Sequence, residues 1–509
     1  MARYKDYNYD QMKMLPVSYE KQILPGSFEY SLSYLIDNEL DLSAFDQHYQ
    51  NDSTGRPAYD PKLLLKIIIL AYSKGITSSR QIERLCRENI LFMALSADLQ
   101  PDHSTVADFI SRAPETLADL FGQVVLICDR LGLIGKEMFA IDGCKLPSNA
   151  SKTWSGTHAE LNKKRKKIDR AVRRMLQRHR EQDTAEQQPD IYEREREQIR
   201  KLRATSRKIK QFLESEPERK GVSGKTVKSN ITDNESAKMK TSHGVIQGYT
   251  GVAAVDSEHQ VVVHAEAFGQ GQEHGLLKPV VEGIKETFKD STSKKSLKKT
   301  KITADSGYHN RAMLEYLETE KIDSYIADTG FHARDPRFKD HKAAKHRNKR
   351  QDKERFSQSE FRIDRKRESC RCPAGNLMWL KARRARISHH LFMQFQGYEE
   401  DCNTCGLRKR CLRSAAQHTP RQINMVLDIT KEQKAGILER MKRKIDSPKG
   451  RHIYSQRLGT VEPVFGHITD AIGIKRFSYR GKRKVDGQWK LMMMCHNILK
   501  IHRYGWIWA

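Results

Sequence analysis

Residues 301–310 read KITADSGYHN. A basic, β-prone lead-in ends on Asp305, and Ser306-Gly307 breaks the chain directly after it. Asp ahead of Ser-Gly is ordinary turn chemistry, because its short carboxylate bonds the backbone just beyond it. A carboxylate at the tip of a strand is also a place where a metal can be met. The surrounding sequence has to separate these two readings.

A second stretch has the same form. In EMFAIDGCKL, residues 137–146, the apolar run Met138–Ile141 ends at Asp142-Gly143, a buried-strand pattern with a carboxylate near its exit. Between the two lie GVIQGYTGVAAVD (244–256) and HQVVVHAEAF (259–268), which alternate and are β-branched, with DSEH as their hairpin turn. GLLKPVVEGIKETF (275–288) and RAMLEYLETEKI read as helices, and DSYIADT (323–329) as a further strand. The order predicts an α/β mixture with an antiparallel hairpin at one side of the sheet.

The flanks differ. Up to about residue 130 the pattern is helical. Asp60-Pro61 offers an N-cap with Pro at the first helical position, and Gly75 a stop. Ser78 with Gln81, and Thr105 with Asp108, read as capping boxes. Residues 158–231 predict a charged helical hairpin: NKKRKKIDRAVRRMLQRHR (162–180), a break at QQPDI, and a second helix with Ile199, Leu202, Ile209 and Leu213 near heptad spacing. It is either a solvated pair without a ligand or, from its basic first arm, a nucleic-acid arm. Near the end, YSQRLGTVEPVFGHITDAIGI (454–474) places Val461, Phe465, Ile468 and Ile472 on one stripe. Thr460 as cap and Pro463 in the first turn would start that helix beside Glu462.

The bulk numbers narrow the partners. The 509 residues carry 92 Lys and Arg against 64 Asp and Glu, a net charge of +28. Such an excess suits a polyanion, where each cation on a phosphate releases counterions. Mean hydropathy is -0.73, and the longest apolar run, Leu63–Tyr72, is interrupted by Lys66. That is too short and too charged to span a bilayer. The start MARYKDYNYDQ has no apolar signal core, which predicts an intracellular, cytoplasmic protein without a membrane partner.

Of nine cysteines, Cys86, Cys128, Cys144 and Cys495 are scattered in apolar or strand-like contexts and read as reduced core thiols. The other five read Cys370-Arg-Cys372-Pro-Ala-Gly, Cys402-Asn-Thr-Cys405 and Cys411. A C-x-x-C knuckle with a distant partner pair is tetrahedral zinc spacing, with five thiols for four positions.

Asp142, Asp305 and Glu462 together change the reading of each. Phosphodiester chemistry uses carboxylates from separate elements to hold hard divalent ions, which activate the attacking oxygen and stabilise the leaving one. Three blocks, DGCKLPSNASK (142–152), TADSGYH (303–309) and YSQRLGTVEPVFGHI (454–468), resemble the catalytic blocks of bacterial insertion-sequence DDE transposases. YDPKLLLKIIILAYSKGITSSRQIE and PDHSTVADFISR resemble that group's N-terminal helical domain, and WKLMMMCHNILKI its closing helix. The likeness touches most of the chain except 158–231.

The resemblance implies an RNase H-like mixed sheet flanked by helices, with an N-terminal all-α domain and two insertions. It implies an N-terminal helical domain over 1–130 for DNA binding or dimerisation, and a core whose first strand lies in 131–157. The helical hairpin would take 158–231 and the core strands and helices 232–330. A basic, Cys-rich zinc insertion would take 331–425, and the closing core helices 426–509. Asp142, Asp305 and Glu462 would be catalytic and hold Mg2+ or Mn2+. Tyr454 and Arg457 would contact the element's terminal DNA, with Lys475 as a further DNA-binding residue. Cys372, Cys402, Cys405 and Cys411 would hold structural Zn2+, with Cys370 as the alternative ligand. The sequence departs from the family in carrying Thr469 where a Lys is usual and Gln488 where relatives often have Glu.

The expected activity is Mg2+-dependent cleavage at element ends and strand transfer into target DNA, by at least a homodimer in the DNA complex. Two other readings stay open: an RNase H-like nuclease that cuts without joining, and a catalytically inactive zinc-containing DNA-binding protein.

Overall fold

The computed structural model describes residues 16–49, 57–182, 189–221, 224, 226–242, 244–289, 299–335, 356, 358–364, 367–387, 390–412, 417–427 and 436–505. It divides into two compact units, Met1–Asp328 with Ser447–Ala509, and Thr329–Asp446.

The first unit opens with helices α1 (Phe28–Tyr34), α2 (Pro61–Ser73), α3 (Ser79–Glu88), α4 (Ile90–Leu95), α5 (His103–Arg112) and α6 (Pro114–Arg130). The start of α2 is as the sequence predicts: Asp60 Oδ1 accepts from the Lys62 amide at 2.7 Å, and Pro61 fills a position whose N–H would be unused. Gly75, at φ 74°, follows its end. The two expected capping boxes differ. Ser78 precedes α3 without a side-chain cap bond. Asp102, not Thr105, caps α5, accepting from the Thr105 amide at 2.8 Å. Thr105 thereby falls inside the first turn.

The sheet elements are β1 (Met138–Pro147), β2 (Ser155–Gly156), β3 (Ser229–Asn230), β4 (Ala237–Thr241), β5 (Gly244–Asp256), β6 (Val262–Phe268), β7 (Lys301–Ala304) and β8 (Ser324–Ile326). Six of them form a mixed sheet in the order β4-β5-β1-β7-β8, with β6 also paired to β5. β1 is antiparallel to β5 and parallel to β7, and β8 is parallel to β7. The β5–β6 pair is the expected antiparallel hairpin. Helices α7 (His158–Gln182) and α8 (Pro189–Ser215) leave the sheet region between β2 and β3, which pair at their base. Val172, Met175 and Ile199 pack together along the two helices, and Leu161, Ile209 and Phe212 nearer the base.

One expectation for β1 needs correction. The strand does not end at Asp142-Gly143 but runs to Pro147, because β5 pairs alongside it throughout. What ends there is the parallel pairing with β7, whose last register pair is Ile141 with Ala304.

Helices α9 (Leu277–Thr287) and α10 (Arg311–Thr319) connect β6, β7 and β8, and α11 (Pro448–Gly466) and α12 (Lys482–Tyr504) complete the unit. α12 is buried along most of its length and seals the sheet edge at β6. Asn497 accepts from the Val262 amide and donates to its carbonyl, each at 2.8 Å. Asp486 accepts from the Ala267 amide at 2.7 Å. These side chains satisfy edge groups that would otherwise invite another strand. Trp489, fully buried, donates to the Val252 carbonyl at 2.9 Å. Gln488, also buried, donates to Tyr72 Oη and accepts from the Ser478 amide, tying α2 to α12.

The start expected for the Glu462 helix is overturned. α11 begins thirteen residues earlier, at Pro448, with Ser447 Oγ accepting from the Gly450 amide at 3.0 Å. Pro463 lies inside the helix. Its ring removes the N–H that would have reached the Gly459 carbonyl. That carbonyl instead accepts from Gln260 Nε2 at 3.0 Å, which offsets the missing bond.

The second unit is a five-stranded antiparallel sheet, in the order β13-β12-β11-β10-β9. Its strands are β9 (Arg362–Asp364), β10 (Ser369–Arg371), β11 (Leu377–Ile387), β12 (His390–Gln396) and β13 (Gln422–Val426). Phe356, Phe361, Cys370, Met378, Met393, Phe395, Ile423 and Met425 form its core. No helix among the described residues is long and apolar enough to cross a membrane.

Candidate active site

The sheet register brings the first two carboxylates together. Ile141 pairs with Ala304 in the parallel β1–β7 ladder, so Asp142 and Asp305 are the next residues on neighbouring chains. There the chains part: β1 continues beside β5, while Asp305 turns away into a 3-10 turn, Ser306–Tyr308, capped by its own carboxylate on the Gly307 amide. Asp142 Oδ1 accepts from the Gly143 amide at 2.8 Å. Burial raises the pKa of Asp142, Asp305 raises it further, and Arg457 opposes both.

Arg457 comes from α11. Its Nη1 donates to Asp142 Oδ2 at 2.6 Å, in an ion pair with side-chain exposures of 8% and 19%. Burial opposes the guanidinium charge, but Asp142, Tyr454 and Asp305 outweigh it and hold the pKa above its ordinary value. Tyr454, one turn earlier, is buried with its ring 5.7 Å from the Arg457 guanidinium. Burial raises its pKa.

Glu462 is exposed on α11 and makes no ion pair or hydrogen bond with the described residues. Lys475 is exposed in the segment after α11. Thr469 turns its hydroxyl back to the Phe465 carbonyl at 2.9 Å, a local bond within its own helical turn.

A carboxylate that the sequence reading passed over stands in the group. Glu273 lies in the loop between β6 and α9. A Cβ added to Gly307 would lie 2.4 Å from Glu273 Oε2 and 2.9 Å from Asp305 Oδ1. One added to Gly143 would lie 3.4 Å from Glu273 Oε1 and 3.5 Å from Tyr308 Oη. Gly307, which reads as a turn former, therefore makes room for a third acid. Its pKa is pushed up to about 7 by burial and by Asp305 and Asp142, against relief from Lys145 and Arg457. The only sequence signal was an acid set in a Gly- and Gln-rich loop, GQGQEHG, which has no periodicity to announce it.

Asp142, Asp305 and Glu273 offer only carboxylate oxygens, a donor set that suits Mg2+ or Mn2+ rather than a softer ion. Tyr308 Oη is buried against them with no hydrogen-bond partner. With Arg457 on Asp142, no three His, Cys, Asp or Glu side chains already converge to hold a metal among the described residues.

The cysteines gather in the second unit. Cys372, Cys402, Cys405 and Cys411 line one small cavity of about 40 Å³ with Phe356 and Met378. Cys372 starts a tight turn, its carbonyl accepting from the Gly375 amide at 2.9 Å. Cys402 ends a short helix, Glu399–Asn403, and Cys411 another, Arg408–Cys411. Burial raises the thiol pKa of both Cys402 and Cys411. Cys370 lies apart in the core on β10, its Sγ 3.6 Å from Met378 Sδ.

A family model described as a transposase DDE domain matches residues 371–502, which include the four cavity cysteines, Tyr454, Arg457 and Glu462. A second, described as a transposase domain (DUF772), matches residues 17–112, from before α1 to the end of α5. No curated protein and no solved structure matches the chain. Transposases act on DNA, and DDE domains cleave nucleic acid, generally with a divalent metal. The two matches bear out the resemblance: at both ends, this chain is similar to the insertion-sequence DDE transposases.

Proposed function

We propose that this protein cleaves DNA at the ends of an insertion sequence and joins the freed ends to target DNA, with Mg2+ or Mn2+ as cofactor. The observation that carries the reading is the juxtaposition of Asp142 and Asp305 where β7 leaves β1. The strand order β6-β5-β1-β7-β8, with β5 antiparallel and the rest of the β1 side parallel, supports an RNase H-like core. The charge of +28 supports a DNA partner.

In this reading Asp142 and Asp305 hold the metal, with Glu462 as the further acid that the resemblance assigns. Bound divalent ions would supply charge neutralisation at the phosphate and a more reactive oxygen nucleophile. In the first step water adds to the phosphorus, the P–O3′ bond breaks, and the element end keeps a 3′-hydroxyl. In the second, that hydroxyl attacks a target phosphodiester and displaces a target 3′-oxygen, with no protein–DNA bond. Arg457 neutralises Asp142 until a cation replaces it. Arg457, Tyr454 and Lys475 are the groups for terminal DNA, the first two reachable only if the Arg457–Asp142 pair opens. Because two ends must meet, the working complex is at least a homodimer.

The cysteine cavity is read as a structural zinc site of Cys372, Cys402, Cys405 and Cys411. Four thiols lining one cavity support this set. The packing of Cys370 against Met378 argues against its use as the alternative ligand.

The test combines purified protein, Mg2+ and DNA carrying the native flanks of its gene, with Asp305→Ala in parallel. Joined strands that vanish in the variant are expected. Cleavage without joining would favour the nuclease reading. Binding without breaks would favour the inactive DNA-binding protein and shift attention to Thr469.

A further inference from the structure

From the residues around Asp142 and Asp305, we infer that Glu273 is a metal-holding carboxylate of this site. The inference rests on the reading of Asp142 and Asp305 as metal carboxylates.

The loop that carries Glu273 is fixed at both sides. Thr250 Oγ1, on β5, donates to the Gln270 carbonyl at 2.7 Å. Asn310, the cap of α10, donates its side-chain amide to the His274 carbonyl. Between these ties the carboxylate is set over the point where β1 and β7 part. Gly307 leaves it the space: a Cβ there would lie 2.4 Å from its Oε2, while one at Gly143 would only touch its Oε1, at 3.4 Å. A structural carboxylate in such a half-buried place would be expected to accept hydrogen bonds or pair with a cation. Among the described residues Glu273 makes no side-chain hydrogen bond and no ion pair, and the charges acting on it include two further acids.

Tyr308 adds an independent sign. Its side chain is fully buried, and its hydroxyl, directed at the same group beside Gly143, has no partner. A phenol in that position is enclosed at a cost unless something between it and the acids takes its hydrogen bond. Three carboxylates and a hydroxyl are all hard oxygen donors, a set that suits a divalent cation and its hydration once the acids draw together on it.

The experiment titrates full-length, DNA-free protein with Mn2+, following the loss of the free-ion electron paramagnetic resonance signal. Glu273→Gln, Asp305→Asn and Glu282→Gln are compared with the unaltered chain, each checked for its circular dichroism spectrum and melting temperature. Glu282, exposed on α9, controls for removal of an acid nearby. A parallel measurement exchanges Fe2+ for Mn2+ and maps peroxide-driven backbone cleavage by mass spectrometry.

Glu273→Gln is expected to weaken Mn2+ binding by about tenfold or more, as loss of a metal-site group commonly does. Glu282→Gln should bind like the unaltered chain. Iron cleavage near residues 270–275 should disappear in Glu273→Gln. Unchanged Mn2+ affinity in Glu273→Gln with loss in Asp305→Asn would overturn this inference alone. So would cleavage centred on Glu462 without cuts at 270–275. Unchanged affinity in both variants, or no Mn2+ binding by the unaltered chain, would overturn the reading of Asp142 and Asp305 as well.

Discussion

The carboxylate group and the thiol cavity are built in opposite ways. The carboxylate group draws Asp142 from β1, Asp305 from the end of β7, Glu273 from a loop and Arg457 from α11. Its key ion pair spans 315 positions of sequence. The thiol cavity draws all its cysteines from residues 372–411, within one five-stranded unit. The first is a product of tertiary structure: each acid is set by a different element, and like charges are crowded together by the register of a sheet. The second is a product of local turns carried on one sheet. A group of the first kind concentrates charge and calls for a cation. A group of the second kind gathers thiols, two of which, Cys402 and Cys411, burial pushes above their ordinary pKa.

The largest expected effect separates them by chemistry. Asp142→Asn or Asp305→Asn should lower strand cleavage on the order of 1,000-fold or more, since several kcal/mol of metal-assisted stabilisation is removed. Circular dichroism should be unchanged, because asparagine keeps the size of either side chain and an acceptor for its backbone bond. Cys402→Ser with Cys405→Ser should do the reverse, disturbing Thr329–Asp446 while leaving Mn2+ binding intact. If the cysteine variant abolished Mn2+ binding, the two sites would not be independent.

Zinc tests the second site directly. Metal analysis of the purified protein should find about one zinc per chain, the stoichiometry of a four-thiolate structural site. A strong chelator should increase proteolysis within 372–411 and spare the first unit. Protein that is zinc-free as purified, with the same protease pattern, would leave the cavity a metal-free apolar cluster.

The next effect tests how closely the carboxylate group is fitted. Gly307→Ala places a methyl 2.4 Å from Glu273 Oε2, so the acid must move. Misplacement of about 1 Å can cost about 100-fold in rate. A fall of about 10- to 100-fold in cleavage with little change in melting temperature is expected. An unaltered rate would mean that Glu273 can shift freely and that its position carries no function.

The same contrast governs what the sequence could convey. Asp305 is legible because a strand end and a Gly-bearing break are both local. Asp142 is legible as a carboxylate on a buried strand but not as a mid-strand residue, because the partner that extends β1 lies a hundred residues on, in β5. The α11 helix is misread for a similar reason. Pro463 looks like a helix start until Gln260, from the β5–β6 turn region, is seen on the Gly459 carbonyl. Ser447-Pro448 is a good start signal in hindsight, but it competes with Thr460 and a later apolar stripe. Glu273 has no local signature, since its meaning comes from a glycine and two acids far away in sequence. The cysteine spacing, by contrast, is legible as a cluster, while the strands around it are not: their charged faces hide the alternation.

A smaller effect concerns packing between α9 and β6. Gly283, on α9, faces the ring of half-buried His264, and a Cβ there would lie 2.0 Å from it. Gly283→Ala should destabilise the first unit by about 1–3 kcal/mol, the usual cost of overfilling a packed interior. Chemical denaturation should show this in the first unit and leave the thiol cavity's protease resistance unchanged.

The smallest effect is a pH dependence with two limbs of opposite sign. His496 is buried and His264 half-buried with its Nε2 enclosed, and this loss of water pushes both pKa values down to about 3. Unfolded histidine titrates near pKa 6.5, at roughly neutral pH. Below that value the unfolded chain binds protons that the folded one refuses, so the stability from these residues is full above about 6.5 and is lost as pH falls. Glu273 works the other way. Its pKa is raised to about 7, so the stability tied to its neutral form is present below the ordinary carboxylate range and is lost as pH rises through about 7. Metal-free protein should therefore melt highest at mildly acidic to neutral pH, with shallow losses to either side. Glu273→Gln should flatten the loss towards pH 7 and steepen the acid limb, because its contribution opposes that of the histidines between the ordinary carboxylate range and about 6.5. Mn2+ should flatten the same loss in the unaltered chain, because a bound cation removes the reason for Glu273 to keep its proton. If both limbs persisted in Glu273→Gln, the loss towards pH 7 would belong to other groups. The crowding of acids at the head of β1 and β7 would then carry no measurable strain.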